Sequence, residues 1–199
     1  MRKILITGFE PFGSYAENSS WEAAKKVASF GVFNVDIATE CLPVSFVRAP
    51  MTLREAIDRH TPDVVIMLGQ SATADRIKLE RVALNMMDSA MGDNDGAKPD
   101  EEPIDESDAA ALFTTLPIKA LRSAIDEGGI PVKISNSAGL YVCNRTYYEG
   151  LRICRKRGAR AIFVHLPLYE GQTSPHRDKK TMPLGDMCRA IQTIIEEIK

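Results

Sequence analysis

The sequence predicts an α/β protein, because short apolar runs of strand length alternate with amphipathic stretches of helical period along the chain. Val64-Val65-Ile66-Met67-Leu68 is apolar at every position and closed by Gly69, the pattern of a strand covered on both faces. No internal repeat or low-complexity tract interrupts the alternation. In chain order, Arg2 to Thr7 reads as the first strand and Ser20 to Ser29 as an amphipathic helix. Val35 to Cys41 reads as the next strand, and Arg48 to Arg59 as a helix ended by Thr61-Pro62. After Val64 to Leu68, the stretch Ile77 to Leu84 alternates less cleanly, Leu116 to Ile125 has helical period, and Pro131 to Ile134 is a short strand. Asn144 to Arg157 carries apolar residues at helical spacing and stops at Gly158, with Lys156 and Arg157 in the last turn where the helix dipole favours cations. Ala161 to Pro167 is a short apolar run of strand character that ends in His165 and is broken by Pro167, and Gly185 to Ile198 forms the final amphipathic helix.

Composition bounds what such a protein does. At 199 residues, 44% hydrophobic and with a net charge of −2, the chain is expected to form one domain around one core. The near-neutral balance argues against a protein built around nucleic acid, and no apolar segment is long enough to cross a bilayer. Only I-L-I-T separates Met1-Arg2-Lys3 from Gly8, too short for the apolar part of a signal peptide, so a cytoplasmic location is expected. Cys41, Cys143, Cys154 and Cys188 are scattered, without a C-x-x-C pair or a histidine cluster, which argues against a zinc site or a disulfide framework. Asp93 to Asp108 departs from the rhythm: acidic residues and prolines dominate it, and it reads as a solvated surface loop, with a lid or subunit contact as the alternative.

The chemistry gathers in two places. In S-N-S-A-G-L-Y-V-C-N, from Ser135 to Asn144, a turn runs into a helix with Cys143 near its N-terminus, where unpaired N–H groups and the dipole favour a thiolate and an oxyanion. His165 lies at the end of the apolar strand, and in α/β sheets ligands collect outside the strand C-termini, so thiol and imidazole can meet there for acyl transfer. The sequence leaves a buried inert cysteine and a satisfied core histidine as alternatives. His60, at a helix end, and His176, in T-S-P-H-R-D, read as surface residues.

Further segments carry a family resemblance: G-F-E-P-F-G at Gly8 to Gly13, N-S-S-W-E-A at Asn18 to Ala23, L-P-V-S-F at Leu42 to Phe46 and L-E-R-V-A-L-N-M-M-D at Leu79 to Asp88. In order with the Cys143 segment and F-V-H-L-P at Phe163 to Pro167, they resemble the pyroglutamyl peptidase I family over nearly the whole chain. The reading becomes a three-layer α/β/α sandwich with a mixed, mostly parallel twisted sheet. The resemblance implies a cysteine exopeptidase that removes N-terminal pyroglutamate from peptides, without metal or organic cofactor, as a homodimer or homotetramer. It places the nucleophile at Cys143, the base and later acid at His165, and the group orienting that imidazole at Glu80, which would otherwise read as a surface carboxylate paired with Lys78 or Arg81. Phe9 and Phe12 would border the flat lactam, Tyr141, Val142 and Met91 would complete its wall, and main-chain groups near Gln70 or Val142 would pair with its polar atoms.

Two departures stand out. Many members carry an arginine within D-A-R-I-P-D-N, where this chain reads D-S-A-M-G-D-N with Ala90 at that position, and the family's G-Q-A-G-G-R is G-Q-S-A-T-A-D-R here. If that arginine supports an oxyanion, its loss slows the enzyme unless Arg76 swings in. A binder of pyroglutamyl peptides that has lost activity, or an amidase or acyltransferase with a changed acyl pocket, are therefore alternatives.

Overall fold

The computed structural model describes residues 1–172 and 179–198, so His176 lies outside the described residues. Six strands form the central sheet. β1 (Arg2–Phe9), β2 (Val35–Leu42), β3 (Val64–Gln70) and β8 (Arg160–Leu166) run parallel, and β4 (Ile77–Glu80) and β7 (Val132–Ser135) run against them, in the spatial order β2-β1-β3-β8-β4-β7. β3 is buried at every position, as a strand walled on both faces must be. The sheet is therefore mixed and mostly parallel, in agreement with the expected fold.

Helices cover both faces. α1 (Ser19–Phe30), α3 (Ile118–Glu127) and α5 (Leu184–Ile198) enclose one half of the core, where Ile6, Ile66, Val164, Ile191 and Ile195 interlock. α2 (Arg48–His60) and α4 (Val142–Arg157) enclose the other half, around Leu5, Met67, Tyr147 and Phe163. The switch between layers sits beside β1, because β2 lies on one side of it and β3 on the other. A crevice opens outside the carboxyl ends of β1 and β3 at such a point, and Phe9 and Gln70 are the last residues of those strands. Among the described residues, no helix is long and apolar enough to cross a membrane.

Four short strands escape the periodicity. The uneven stretch Ile77 to Leu84 is two strands with a break at Arg81: β4 joins the central sheet, while β5 (Val82–Leu84) pairs with β6 (Ala111–Phe113) in a separate ribbon. β9 (Leu168–Tyr169) and β10 (Thr181–Met182) form another. The acidic stretch is largely on the surface, yet it is anchored more firmly than its composition suggests. Asp93 is buried and its carboxylate accepts from the N–H groups of Phe46, Asp95 and Ala97 at 2.8, 3.0 and 2.8 Å. Met87 and Glu102 exchange backbone hydrogen bonds, and Ala97 and Ile104 pack on the α2–α4 side of the core.

The approach of α1 to the sheet depends on Gly8. A Cβ there would stand 2.6 Å from both the backbone N and Cα of Trp21, so the first turn of α1 would have to retreat. Backbone cannot sidestep as a flexible side chain can, and overpacking of this kind costs about 1–3 kcal/mol. Gly8→Ala should lower the unfolding free energy by that amount, read as a lower urea midpoint at an unchanged slope; an unaltered midpoint would show that α1 has slack against β1.

Candidate active site

The first turn of α4 carries Cys143, and the neighbouring residue fixes that turn. The side chain of Asn144 accepts from the Leu84 N–H at 2.9 Å and donates to the carbonyls of Leu84 and Met86, each at 2.9 Å, tying the helix start to β5. Tyr141, the N-cap residue, makes no side-chain capping bond, so the N–H groups of the opening residues have no cap among the described residues. The Cys143 sulfur rests against β3 at Gly69. A Cβ on Gly69 would lie 3.1 Å from Sγ and 2.7 Å from the Phe163 ring, so the thiol occupies space that any other residue would fill.

Gly69 is the register partner of His165 in β8, which brings the imidazole to the thiol. Its Nδ1 is 2.8 Å from Oε1 of Glu80, and the carboxylate has no exposed surface. Glu80 is therefore no surface carboxylate paired with Lys78 or Arg81. Tyr147 donates to the Glu80 carbonyl at 2.9 Å and holds β4 in place, and the Phe163 ring lies 4.8 Å from the imidazole. Burial opposes protonation of His165, but the Cys143 thiol and the Glu80 carboxylate outweigh it and lift the imidazole to about 9.

Beside the sulfur lies a small apolar cavity of about 50 Å³, walled by Phe9, Phe12, Val44, Tyr141 and Val142 and reached by Gln70. It suits a small flat group rather than an extended side chain. Gln70 Oε1 accepts from the Ser19 N–H and from Gln172 Nε2, both at 2.8 Å, while its own buried Nε2 has no partner among the described residues. Asn18, the N-cap of α1, also borders the cavity and donates to the Glu10 carbonyl at 2.9 Å. The acidic stretch braces the opposite wall: Tyr141 donates to the Gly92 carbonyl at 3.1 Å, and Asn94 Nδ2 donates to Glu10 Oε1 and to the Pro11 carbonyl at 2.9 and 3.1 Å. Met91 is more than half exposed and lines a wider outer cleft with Cys143 and His165, apart from the inner cavity. Among the described residues, no three His, Cys, Asp or Glu side chains gather as metal ligands would.

The family model described as "Pyroglutamyl peptidase" matches residues 2–199. The chain belongs to the pyroglutamyl peptidase family. Among its relatives, a pyrrolidone-carboxylate peptidase of Erwinia tasmaniensis is 39% identical over 98% of this chain and 92% of its own length. One from Thermococcus kodakarensis is 38% identical over 98% and 95%. Among solved structures, the pyrrolidone carboxyl peptidase of Thermococcus litoralis superposes with a TM-score of 0.93 at 34% identity, covering 98% of this chain and 92% of that one. Pyroglutamyl peptidase I of Bacillus amyloliquefaciens gives 0.92 at 34% identity, covering 98% and 95%.

Within this pyroglutamyl peptidase family member, Ala90 is exposed between Ser89 and Met91 and brings no cation to the cleft that both neighbours line. Arg76 does not take that place. Its guanidinium pairs with Asp75 at 3.0 Å and borders a separate hollow with Lys119 and Arg122. Asn18 and Asn144 were not singled out from the sequence as site residues; the N-cap position before Ser19 was the available signal for Asn18.

Two outcomes test this geometry. Glu80→Gln should bring the His165 titration, followed by NMR of its ring proton, down from about 9. A folded value raised above the ordinary 6.5 means that the protonated pair stabilises fully below that pH and loses its contribution as pH rises through about 9. The stability gap between native protein and Glu80→Gln should therefore be about 3 kcal/mol at pH 6 and narrow above pH 9. With limiting iodoacetamide at neutral pH, Cys143 should be labelled first, because burial pushes the Cys41 and Cys154 thiols up to about 11 and about 12. Prior labelling of Cys41, read by peptide mass, would contradict it.

Proposed function

We propose that this protein is a pyroglutamyl peptidase, a cysteine exopeptidase that hydrolyses the amide bond following an N-terminal 5-oxoproline. The observation that carries this reading is the position of Cys143, at the boundary between a small apolar cavity and the His165–Glu80 pair. A lactam has no charged amine, and Phe9, Phe12, Tyr141 and Val142 offer it flat apolar contact. The unpartnered Gln70 Nε2 supplies a donor for the ring carbonyl, and a substrate lacking that oxygen leaves the donor buried and unsatisfied.

Below about pH 9 His165 holds the proton that Cys143 gives up, at the ring nitrogen turned away from Glu80. The thiolate attacks the pyroglutamyl carbonyl, and the oxyanion is received by backbone N–H groups at the start of α4, which lie at the positive end of the helix dipole. These donors need no side chain, so they serve despite Ala90. His165 then passes its proton to the departing amine as the carbon–nitrogen bond breaks, leaving a thioester. Water, deprotonated by the same imidazole, hydrolyses the thioester and releases pyroglutamate with restoration of the thiol. Glu80 takes no part in these proton transfers and holds the ring in one orientation, as the third member of a triad does.

Release of a chromophore from a pyroglutamyl amide under reducing conditions tests the assignment. Native protein should release it while leaving the prolyl amide, which lacks the ring carbonyl, at least about a hundredfold slower. Cys143→Ser should abolish release. The alkaline side of the kcat/KM profile should fall near pH 9, where His165 loses its proton. A folded native protein that binds pyroglutamate and releases nothing would support the non-catalytic alternative.

A further inference from the structure

The outer cleft holds a cation that the steps above leave unused. Lys78 in β4 is the antiparallel register partner of His165 in β8, so both side chains leave the sheet on the same face. Lys78 and His165 line one open cleft together with Ser71, Thr73, Ser137 and the sulfur of Cys143. The ammonium lies 3.4 Å from the Ser71 hydroxyl and, among the described residues, belongs to no ion pair. The carboxylates nearest in sequence are engaged elsewhere: Asp75 by Arg76 and Lys180, and Glu80, two residues along the same strand face, by His165.

The cleft also has a direction. Cys143 borders both the inner cavity and the outer cleft, whereas His165 and Lys78 border the outer cleft and not the cavity. If the inner cavity seats the acyl group, the amine that His165 protonates must depart through the outer cleft, and the residue attached to that amine passes beside Lys78. Because Lys78 is the register partner of His165, the side chain borne by the amine that His165 protonates is the first to meet the wall that carries the ammonium.

Resting on the peptidase reading, we propose that Lys78 is a specificity-determining residue that favours an acidic side chain immediately after the pyroglutamyl residue. The ammonium pairs with the Asp or Glu carboxylate of the bound peptide, and Ser71 and Thr73 add hydroxyl donors along the same wall. The pair is solvent-facing, so its effect has the scale of an exposed ion pair, about fivefold in kcat/KM. It falls mainly on KM, because the contact is made equally in the bound and reacting states.

The test compares three C-terminally amidated peptides, pyroglutamyl-Glu-Ala, pyroglutamyl-Gln-Ala and pyroglutamyl-Lys-Ala, on the native protein and on Lys78→Gln and Lys78→Glu, with amidation removing any competing terminal carboxylate. The native protein should prefer Glu over Gln about fivefold and disfavour Lys, with the preference shrinking at high salt. Lys78→Gln should level the three, and Lys78→Glu should reverse their order. Glu and Gln are nearly isosteric, so the native ratio decides the matter even if a variant fails to fold. Equal cleavage of Glu and Gln peptides by the native protein, or an order unchanged in a folded Lys78→Glu, overturns the role of Lys78 while leaving the peptidase reading intact. Cleavage of none of the three overturns both.

Discussion

A carboxylate buried without any exposed surface beside a histidine is the constraint around which this molecule is arranged. Taking an ionised carboxylate out of water costs several kcal/mol unless it is paired and hydrogen-bonded, and Glu80 meets that cost through one oxygen, which holds His165 Nδ1, while the other oxygen is buried without a partner among the described residues. The pairing works because β4 runs against β8: Glu80 lies opposite Phe163 and reaches diagonally to His165, which is opposite Lys78. A reversed or slipped β4 would strand the charge. The reversal of strand direction between β8 and β4 is thus tied to the electrostatics of one ion pair, and Tyr147 secures β4 through the backbone carbonyl of Glu80.

The site divides into two environments that meet at the sulfur. On one side the walls are apolar and tightly supported: Phe9 closes β1, Tyr141 stands before α4, and Phe46 meets the Tyr141 ring edge-on at 5.3 Å. The turn at Asp93 holds the Phe46 backbone, so the start of the acidic stretch belongs to the scaffold of the cavity. On the other side the walls are hydroxyls, an imidazole and an ammonium open to solvent. Under the proposed mechanism, recognition by shape thus falls to the apolar side, and proton exchange and product release fall to the polar one.

Much of this was legible in the chain. β3, α4 and α5 follow directly from apolar periodicity, because each buries a long, regular face. Cys143 and His165 were visible locally, one at the entry to a helix and the other at the end of an apolar strand. Glu80 was not, since I-K-L-E-R alternates charge and apolar residues as a half-exposed strand does, and its burial comes from Phe163 and Tyr147, far away in sequence; the family resemblance was needed to single it out. The direction of β4 has no local signature, and β5, β6, β9 and β10 span two or three residues, too few for any period to register. The anchoring of the acidic stretch was hidden for a different reason: Asp93 satisfies backbone donors, and composition cannot distinguish a carboxylate that binds water from one that organises a turn.

The missing side chain at Gly69 makes the sheet backbone a rear wall for the sulfur. Under the proposed mechanism, a nucleophile closed on that flank presents its lone pair toward the opposite half-space, so a planar carbonyl seated in the cavity would be met from one of its two faces. The handedness of the tetrahedral adduct in that mechanism would trace back to a single hydrogen atom on β3.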